Sequence, residues 1–330
     1  MLTYSSSSSA SEKARDARPA YRPFRAAVAR IAELSPGFRR VTFTGPDFDG
    51  FGTAGLDQRV KIVFPHADGR LGDCGWDDPD TIAQGTWYQR WRELPDSERN
   101  PFRTYTVRAV RPAEKELDVD FVVHGHEGGA PGPAALWLEA VAPGDPLVIV
   151  GPDDASVDYR IGLDWHPGDA VDYLLAGDET AAPAICSILE SLPTGTRAHA
   201  FIEVPHAADA VELDCRAEAS VTWLCRDAGH TALDAAVRAW VGEHRDTLAP
   251  ALSAPEELAE IDVDVEMLWD SPGEPPADAA GLGEHRFYAW LAGESAVIKG
   301  LRRLLVSEVG VDRRRVAFMG YWRLGKAEAQ

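Results

Sequence analysis

Two different hydrophobic rhythms follow one another along the chain, and they change over near Ala170. Up to that point the apolar residues come in short alternating runs: Ala26-Val28-Arg30, Arg40 to Phe43, Val60 to Phe64, Thr104 to Val110, Leu117 to Val123 and Leu147 to Val150. In Leu117-Asp118-Val119-Asp120-Phe121-Val122-Val123 the residues at 117, 119, 121 and 123 share one face, the mark of a half-buried strand. Six such runs with turn residues between them predict a small antiparallel six-stranded β-barrel over residues 21–155. One helix interrupts it, starting near Gly132-Pro133 and expected to turn Leu136, Leu138 and Val141 inward. Beyond Ala170 the order becomes strand, helix, strand: Val171 to Ala176, Thr180 to Leu192, Ala198 to Val204, Val221 to Leu224, then a helix from Thr231 to about His244. That alternation implies a parallel sheet covered by helices, an α/β unit over residues 156–330. The acidic, Pro-rich stretch 245–284 breaks the pattern and reads as a mostly irregular excursion with one short helix near Pro255 to Glu260. A strand at Phe287 to Leu291, a helix from Glu294 to Val309 and a last strand at Val316 to Met319 close the chain. The apolar stripe of that helix runs through Val297, Leu301, Leu304 and Leu305, which puts Arg302 and Arg303 on its solvated side.

A chain of 330 residues is long enough for two units with separate cores, and residues 1–20, with the run Ser5 to Ser9, read as a disordered tail. The formal net charge of -20 argues against nucleic acid as a partner, because phosphate binding needs a clustered basic surface. It would also repel an anionic substrate unless local Lys and Arg residues overcome the bulk field. Cys74, Cys186, Cys215 and Cys225 form no CxxC pair and show no zinc or iron–sulfur spacing, so they read as reduced thiols. With no apolar signal segment in the first thirty residues and no stretch apolar enough to span a membrane, the expected location is the cytoplasm.

Three constellations carry chemistry. Arg103-x-Tyr105-Thr106 lies on a strand after a long loop and suits a flavin nucleotide: a planar guanidinium for the pyrophosphate, an aromatic ring against the isoalloxazine, a hydroxyl for its edge. An Arg and a Tyr on an exposed strand face is the competing reading of that string taken alone. Gly132-Pro133-Ala134 opens a helix after the loop His124-Gly125-His126-Glu127-Gly128-Gly129, and a helix N-terminus presents free N–H groups and a positive dipole end to a pyrophosphate. His124 either touches that cofactor or satisfies the loop backbone. In the second unit, Leu174 to Gly177 runs into Asp178-Glu179-Thr180 and a helix, and Trp290 to Gly293 runs into Glu294-Ser295 and another. A nucleotide is expected at the carboxyl ends of such strands, with Thr180 capping its own helix as the alternative for that turn.

Taken together these segments resemble the siderophore-interacting protein family of flavoprotein reductases, within the ferredoxin-reductase-like superfamily. The similar stretches are Asp57 to Lys61, Arg103 to Arg108, Asp118 to Gly125, Gly132 to Trp137, Pro143-Gly144-Asp145, Ala176 to Thr180, Leu291 to Glu294 and Gly320-Tyr321-Trp322-Arg323, in family order over nearly the whole chain. The resemblance implies an FAD-binding barrel, an NAD(P)H-binding domain, and release of iron from a ferric siderophore in the cytoplasm. It implies FAD contacts from Arg103, Tyr105 and Thr106, with Gly132, Pro133 and Ala134 at the phosphates. It implies nicotinamide-nucleotide contacts from Gly177, Asp178, Glu179, Thr180, Gly293 and Glu294. Lys61 and Arg323 are the implied holders of the anionic chelate, and Arg59, where relatives often carry His, points the same way along its strand as Lys61. A salt bridge to nearby acids is the competing role for Arg59. Tyr321 or Trp322 is expected to cover the flavin, with core packing as the other reading of Trp322.

Glu203 ends one strand of the α/β unit, where an acid favours NADH by binding a ribose hydroxyl, while Arg226 after the next strand suits the 2′-phosphate of NADPH. The resemblance tips the expectation to NADPH. Oxygen ligands hold Fe(III) far more tightly than Fe(II), so reduction amounts to release, and a flavin mediates between a two-electron donor and a one-electron acceptor. Two other functions share these features: a reductase serving a ferredoxin or oxygenase partner, and a flavin-bearing module that binds ferric chelates without turnover.

Overall fold

The computed structural model describes residues 14–52, 54–123, 131–229, 231–253, 268–273 and 287–325. The first half holds strands β1 (Tyr21–Ser35), β2 (Phe38–Thr44) and β3 (Arg59–Val63), helices α1 (Pro79–Gln84) and α2 (Trp87–Glu93), strands β4 (Phe102–Thr106), β5 (Ala109–Arg111) and β6 (Glu116–Val122), helix α3 (Pro133–Ala140) and strand β7 (Pro146–Pro152). The strands form one antiparallel sheet in the order β4-β3-β7-β1-β2-β6-β5. There are seven strands rather than six because the run Thr104 to Val110 divides at Val107-Arg108, where both backbone N–H groups turn to other partners, Gln58 O and Asp118 O. The sheet curls until Tyr105 on edge strand β4 meets Phe121 on β6, with ring centroids 4.4 Å apart. Phe24, Val28, Phe43, Ile62, Leu117, Phe121 and Ile149 fill the inside of the curl. On α3 it is Trp137 and Leu138 that turn to this core, while Leu136, expected inward, is 52% exposed.

Between β3 and β4 the chain builds a side core from Cys74, Trp76, Trp87, Trp91 and Phe102. Helices of six and seven residues are unstable alone. Burial of the three indoles, worth roughly 2–3 kcal/mol each, is what holds α1 and α2. Residues 14–20, expected to be part of a loose tail, are docked: Asp16 bridges Ser156, and Arg15 pairs with Asp154 at 3.2 Å.

The second half runs β8 (Asp172–Gly177), α4 (Ala182–Ser191), β9 (Arg197–Val204), β10 (Glu218–Cys225), α5 (Leu233–Glu243), α6 (Arg245–Leu248), β11 (Trp269–Asp270), β12 (Phe287–Glu294), α7 (Ser295–Arg302), a π-helical stretch Arg303–Val309 and β13 (Val316–Trp322). The sheet order is β10-β9-β8-β12-β13-β11, parallel throughout except for β11, which runs antiparallel to β13. The sheet is therefore mixed rather than purely parallel, and its odd strand comes from the acidic stretch expected to be irregular. Part of that stretch, including Pro255 to Glu260, lies outside the described residues. Arg302 is not on a solvated face: it is 6% exposed and its Nε donates to Asp270 Oδ2 at 2.8 Å, so β11 and α7 are tied together. Arg303 is exposed as expected.

The two sheets meet through specific polar contacts. Arg108 makes a two-pronged pair with Glu190 (2.7 and 2.8 Å), and Gly37 N–H donates to Asp209 Oδ1 at 2.7 Å. A Cβ at residue 37 would fall 2.5 Å from the Asp209 carboxylate, so this approach requires glycine.

Candidate functional site

Strand alternation separates the Arg103-x-Tyr105-Thr106 string. Arg103 and Tyr105 lie opposite Ile62 and Val60 on the inner face, and Thr106 is buried on the other face opposite Arg59. Arg103 Nη1 donates to Phe102 O at 2.7 Å, and the Tyr105 ring packs on Phe121 and Phe64. Helix α3 shares these neighbours, since Trp137 contacts Phe64 at 5.2 Å and Phe121 at 5.6 Å. The strand and the start of the helix thus border one region of the barrel. That helix start has no side-chain cap: its N-cap is Gly132, Pro133 has no N–H, and a Cβ on Gly132 would meet nothing within 4 Å. First-turn N–H groups with no side-chain cap among the described residues, on a helix that borders the same region as the arginine strand, fit a pyrophosphate. His124 and the loop through residue 130 lie outside the described residues.

At the carboxyl edge of the second sheet a single carboxylate joins three elements. Asp178 Oδ1 accepts from Thr180 N (2.9 Å) and Thr180 Oγ1 (2.6 Å), while Oδ2 accepts from Glu294 N and from Trp322 Nε1, both at 2.8 Å. The turn after β8, the turn after β12 and the aromatic end of β13 are therefore held at one point. Gly293, with φ of 149°, sits in a region that side chains avoid, and a Cβ there would lie 2.5 Å from Asp178 Oδ2. Burial, reinforced by the neighbouring Glu179, pushes the Asp178 carboxyl up to about 6. Thr180 does not cap α4, whose N-cap is Ala181; its hydroxyl serves the Asp178 turn instead. The Glu294 side chain caps α7, accepting from Ala296 N and Val297 N at 2.7 and 3.1 Å. Arg226 and Glu203, two opposed hints in the sequence, meet directly at 2.9 Å, and Arg226 also grips both oxygens of Glu179.

The basic residues diverge. Arg59 pairs with Asp164 at 2.8 Å and lies 4.3 Å from the Trp269 ring centre, which in turn stacks on Tyr321. Lys61 extends over Phe102, with Nζ 4.9 Å from the ring centre. Arg323 follows β13 and is half-buried. Tyr321 is enclosed by Trp269 and Trp290, and its hydroxyl is buried with no hydrogen-bond partner among the described residues, whereas Trp322 is 37% exposed.

Beneath them Asp57, fully buried, accepts from Asp164 N (2.9 Å), Trp165 N (3.3 Å) and Trp290 Nε1 (3.0 Å). Burial and the nearby Asp164 raise its carboxyl to about 6 from an ordinary 3.8. Because the folded protein holds this proton more tightly than the unfolded chain, the contribution of Asp57 to stability is full below about pH 4 and is lost as pH rises through about 6, by an amount on the order of 2–3 kcal/mol. Asp178 acts in the same direction. Asp57→Asn is expected to remove roughly half of this slope, measured as urea midpoints between pH 4.5 and 7.5; an unchanged slope would show that Asp57 is ionised throughout.

Residues 27–156 match the family model of a siderophore-interacting FAD-binding domain, and residues 170–325 match that of siderophore-interacting protein. An uncharacterized protein of Mycobacterium tuberculosis is 32% identical over 304 residues, 91% of this chain and 90% of its own length. This chain belongs to the siderophore-interacting protein family. Another relative, the ferric vibriobactin reductase of Vibrio cholerae, is 27% identical over 89% of this chain and 87% of its own. The siderophore-interacting protein SipS of Aeromonas hydrophila is a solved structure with TM-score 0.61 and 27% identity, covering 94% of this chain and 95% of that one. A ferredoxin reductase of carbazole 1,9a-dioxygenase shares the fold alone, at 13% identity and TM-score 0.53 over 92% and 70% of the two chains. The curled sheet is thus the FAD-binding half of a siderophore-interacting protein, as the resemblance implied. No helix among the described residues is long and apolar enough to cross a membrane.

Sequence reasoning missed α1 and α2, although Asp78-Pro79 is a helix-start pair and Trp87 and Trp91 stand one helical turn apart. It also missed Asp164 and Trp269, whose roles depend on contacts 105 residues apart in the chain.

Proposed function

We propose that this flavin-dependent oxidoreductase takes hydride from a nicotinamide nucleotide and reduces a ferric siderophore, releasing Fe(II) in the cytoplasm. Residues 21–155 form the FAD unit and 156–330 the nucleotide unit of this reading. The observation that carries it is Asp178 clasping both strand-turns and Trp322 at one point. That arrangement holds two strand-turns together at the carboxyl ends of parallel strands, the edge where such sheets bind nucleotides, and puts an exposed indole beside it. In this reading Arg103 and the α3 N-terminus, Gly132 to Ala134, hold the FAD pyrophosphate, Tyr105 packs against the ring system and Thr106 lies at its edge. FAD, when bound, accepts hydride as a pair of electrons and delivers them one at a time. The turns Gly177 to Thr180 and Gly293-Glu294 receive the nicotinamide nucleotide. Trp322, the exposed member of the aromatic pair, covers the flavin until that nucleotide arrives, while Tyr321 packs between Trp269 and Trp290. No side chain need move a proton.

Lys61 and Arg323 supply the positive charge for an anionic chelate within a field of net charge -20. Arg59, neutralised by Asp164, contributes mainly by holding the junction. The ferric vibriobactin reductase supports this substrate class by its name. Lys61→Ala and Arg323→Ala are each expected to lower kcat/KM for a ferric siderophore roughly 10-fold, about the value of one charge-assisted contact. Flavin content should be unchanged; loss of FAD in either variant would reassign the residue to the cofactor.

A further inference from the structure

We infer that this protein selects NADH over NADPH, and that Glu203 together with the neutralised Arg226 sets the preference. The inference rests on the proposed nicotinamide site and names which nucleotide it takes.

A dinucleotide lying across the carboxyl edge of this sheet brings its adenosine ribose toward the ends of β9 and β10. Glu203 is at the end of β9 and Arg226 directly follows β10. An unpaired arginine in this position would offer its planar fork to a 2′-phosphate. Arg226 is not in that state. Its Nη1 and Nη2 grip the two oxygens of Glu179, itself nearly buried, and Nη1 also reaches Glu203 Oε1 at 2.9 Å. One guanidinium against two carboxylates leaves a net negative charge. A third carboxylate, Asp227, stands next in sequence and accepts from Ala207 N at 3.1 Å, 3.4 Å from His206 Nδ1.

The second oxygen of Glu203 accepts from Leu233 N at 3.2 Å, the first residue of α5. Glu203 is therefore held by an arginine on one side and a helix start on the other, and swinging away to admit a phosphate dianion would break both contacts. A ribose 2′-hydroxyl, in contrast, can donate to such a carboxylate. A phosphate at the same place would have to break the Arg226 pairs and expose two carboxylates to like charge.

The test is calorimetric titration of the oxidised flavoprotein with NAD+ and with NADP+, paired with anaerobic flavin reduction by NADH and NADPH. The expected result is at least 10-fold tighter NAD+ binding and a matching ratio in the reduction rates. Glu203→Gln should narrow the gap several-fold by improving NADP+ binding. Arg226→Gln should not weaken NADP+ selectively. Tighter NADP+ binding by the unaltered protein, or a selective 10-fold loss of NADP+ affinity in Arg226→Gln, overturns the preference while leaving the reductase reading standing. Binding of neither nucleotide by protein that retains its flavin overturns that reading as well.

Discussion

Arg103→Ala protein is expected to fold but to leave purification nearly colourless. A guanidinium paired with a pyrophosphate makes charge-assisted hydrogen bonds worth about 1.5–3 kcal/mol each, so loss of one or two weakens FAD by roughly 10- to 10,000-fold. The residue is half-buried on an edge strand, and the inner face beside it is filled by Ile62 and Tyr105, so truncation should leave the barrel core in place. The ratio of flavin to protein absorbance, followed by titration of the apoprotein with FAD, reads the effect. A variant that keeps stoichiometric flavin would show that another group holds the phosphates.

Asp178→Ala has the largest expected cost in stability. Removal of this buried carboxylate leaves the part-buried N–H groups of Thr180 and Glu294 without their acceptor, while the indole of Trp322, 37% exposed, can turn to water. Unsatisfied donors cost about 1–3 kcal/mol each when buried, so these two sum to roughly 2–4 kcal/mol once the raised carboxyl pKa is offset against it. In a chain of 330 residues that is a fall in Tm of roughly 3–6 °C. Asp178→Asn retains one acceptor oxygen and so should lose roughly half as much. Thermal unfolding of both variants, read at the same pH, checks the ordering; equal losses would mean the negative charge, not the acceptor geometry, is what the site needs.

The parts of this molecule legible in its sequence are those written locally. Period-2 runs such as Leu117 to Val123 became strands, and the strand, helix, strand rhythm after Ala170 became the second sheet. The uncapped start of α3 follows from Gly132-Pro133. What was illegible depended on distant pairings. A seventh strand arose because Val107 and Arg108 leave the ladder for Gln58 and Asp118. Arg302, placed by helical periodicity among solvated residues, is drawn inward by Asp270 from a strand too short to show any pattern. In the candidate site, the turns at Gly177 and Gly293 could be found, but not the fact that Asp178 holds them to each other, nor that Arg226 is already paired. Charged residues declare their type in a sequence and their partner only in the fold.

In the proposed function electrons pass from a nicotinamide nucleotide through FAD to a ferric siderophore, and one anaerobic experiment follows that whole route. The flavoprotein is reduced with NADH or NADPH, a ferric siderophore is added with an Fe(II)-specific trap, and flavin absorbance is recorded together with trapped iron. The expected result is bleaching on addition of nucleotide, return of the oxidised spectrum on addition of chelate, and about two trapped Fe(II) per flavin reoxidised, since a two-electron carrier serves a one-electron acceptor. Flavin that stays oxidised with both nucleotides, or that bleaches and then remains reduced in the presence of the chelate, would contradict the account.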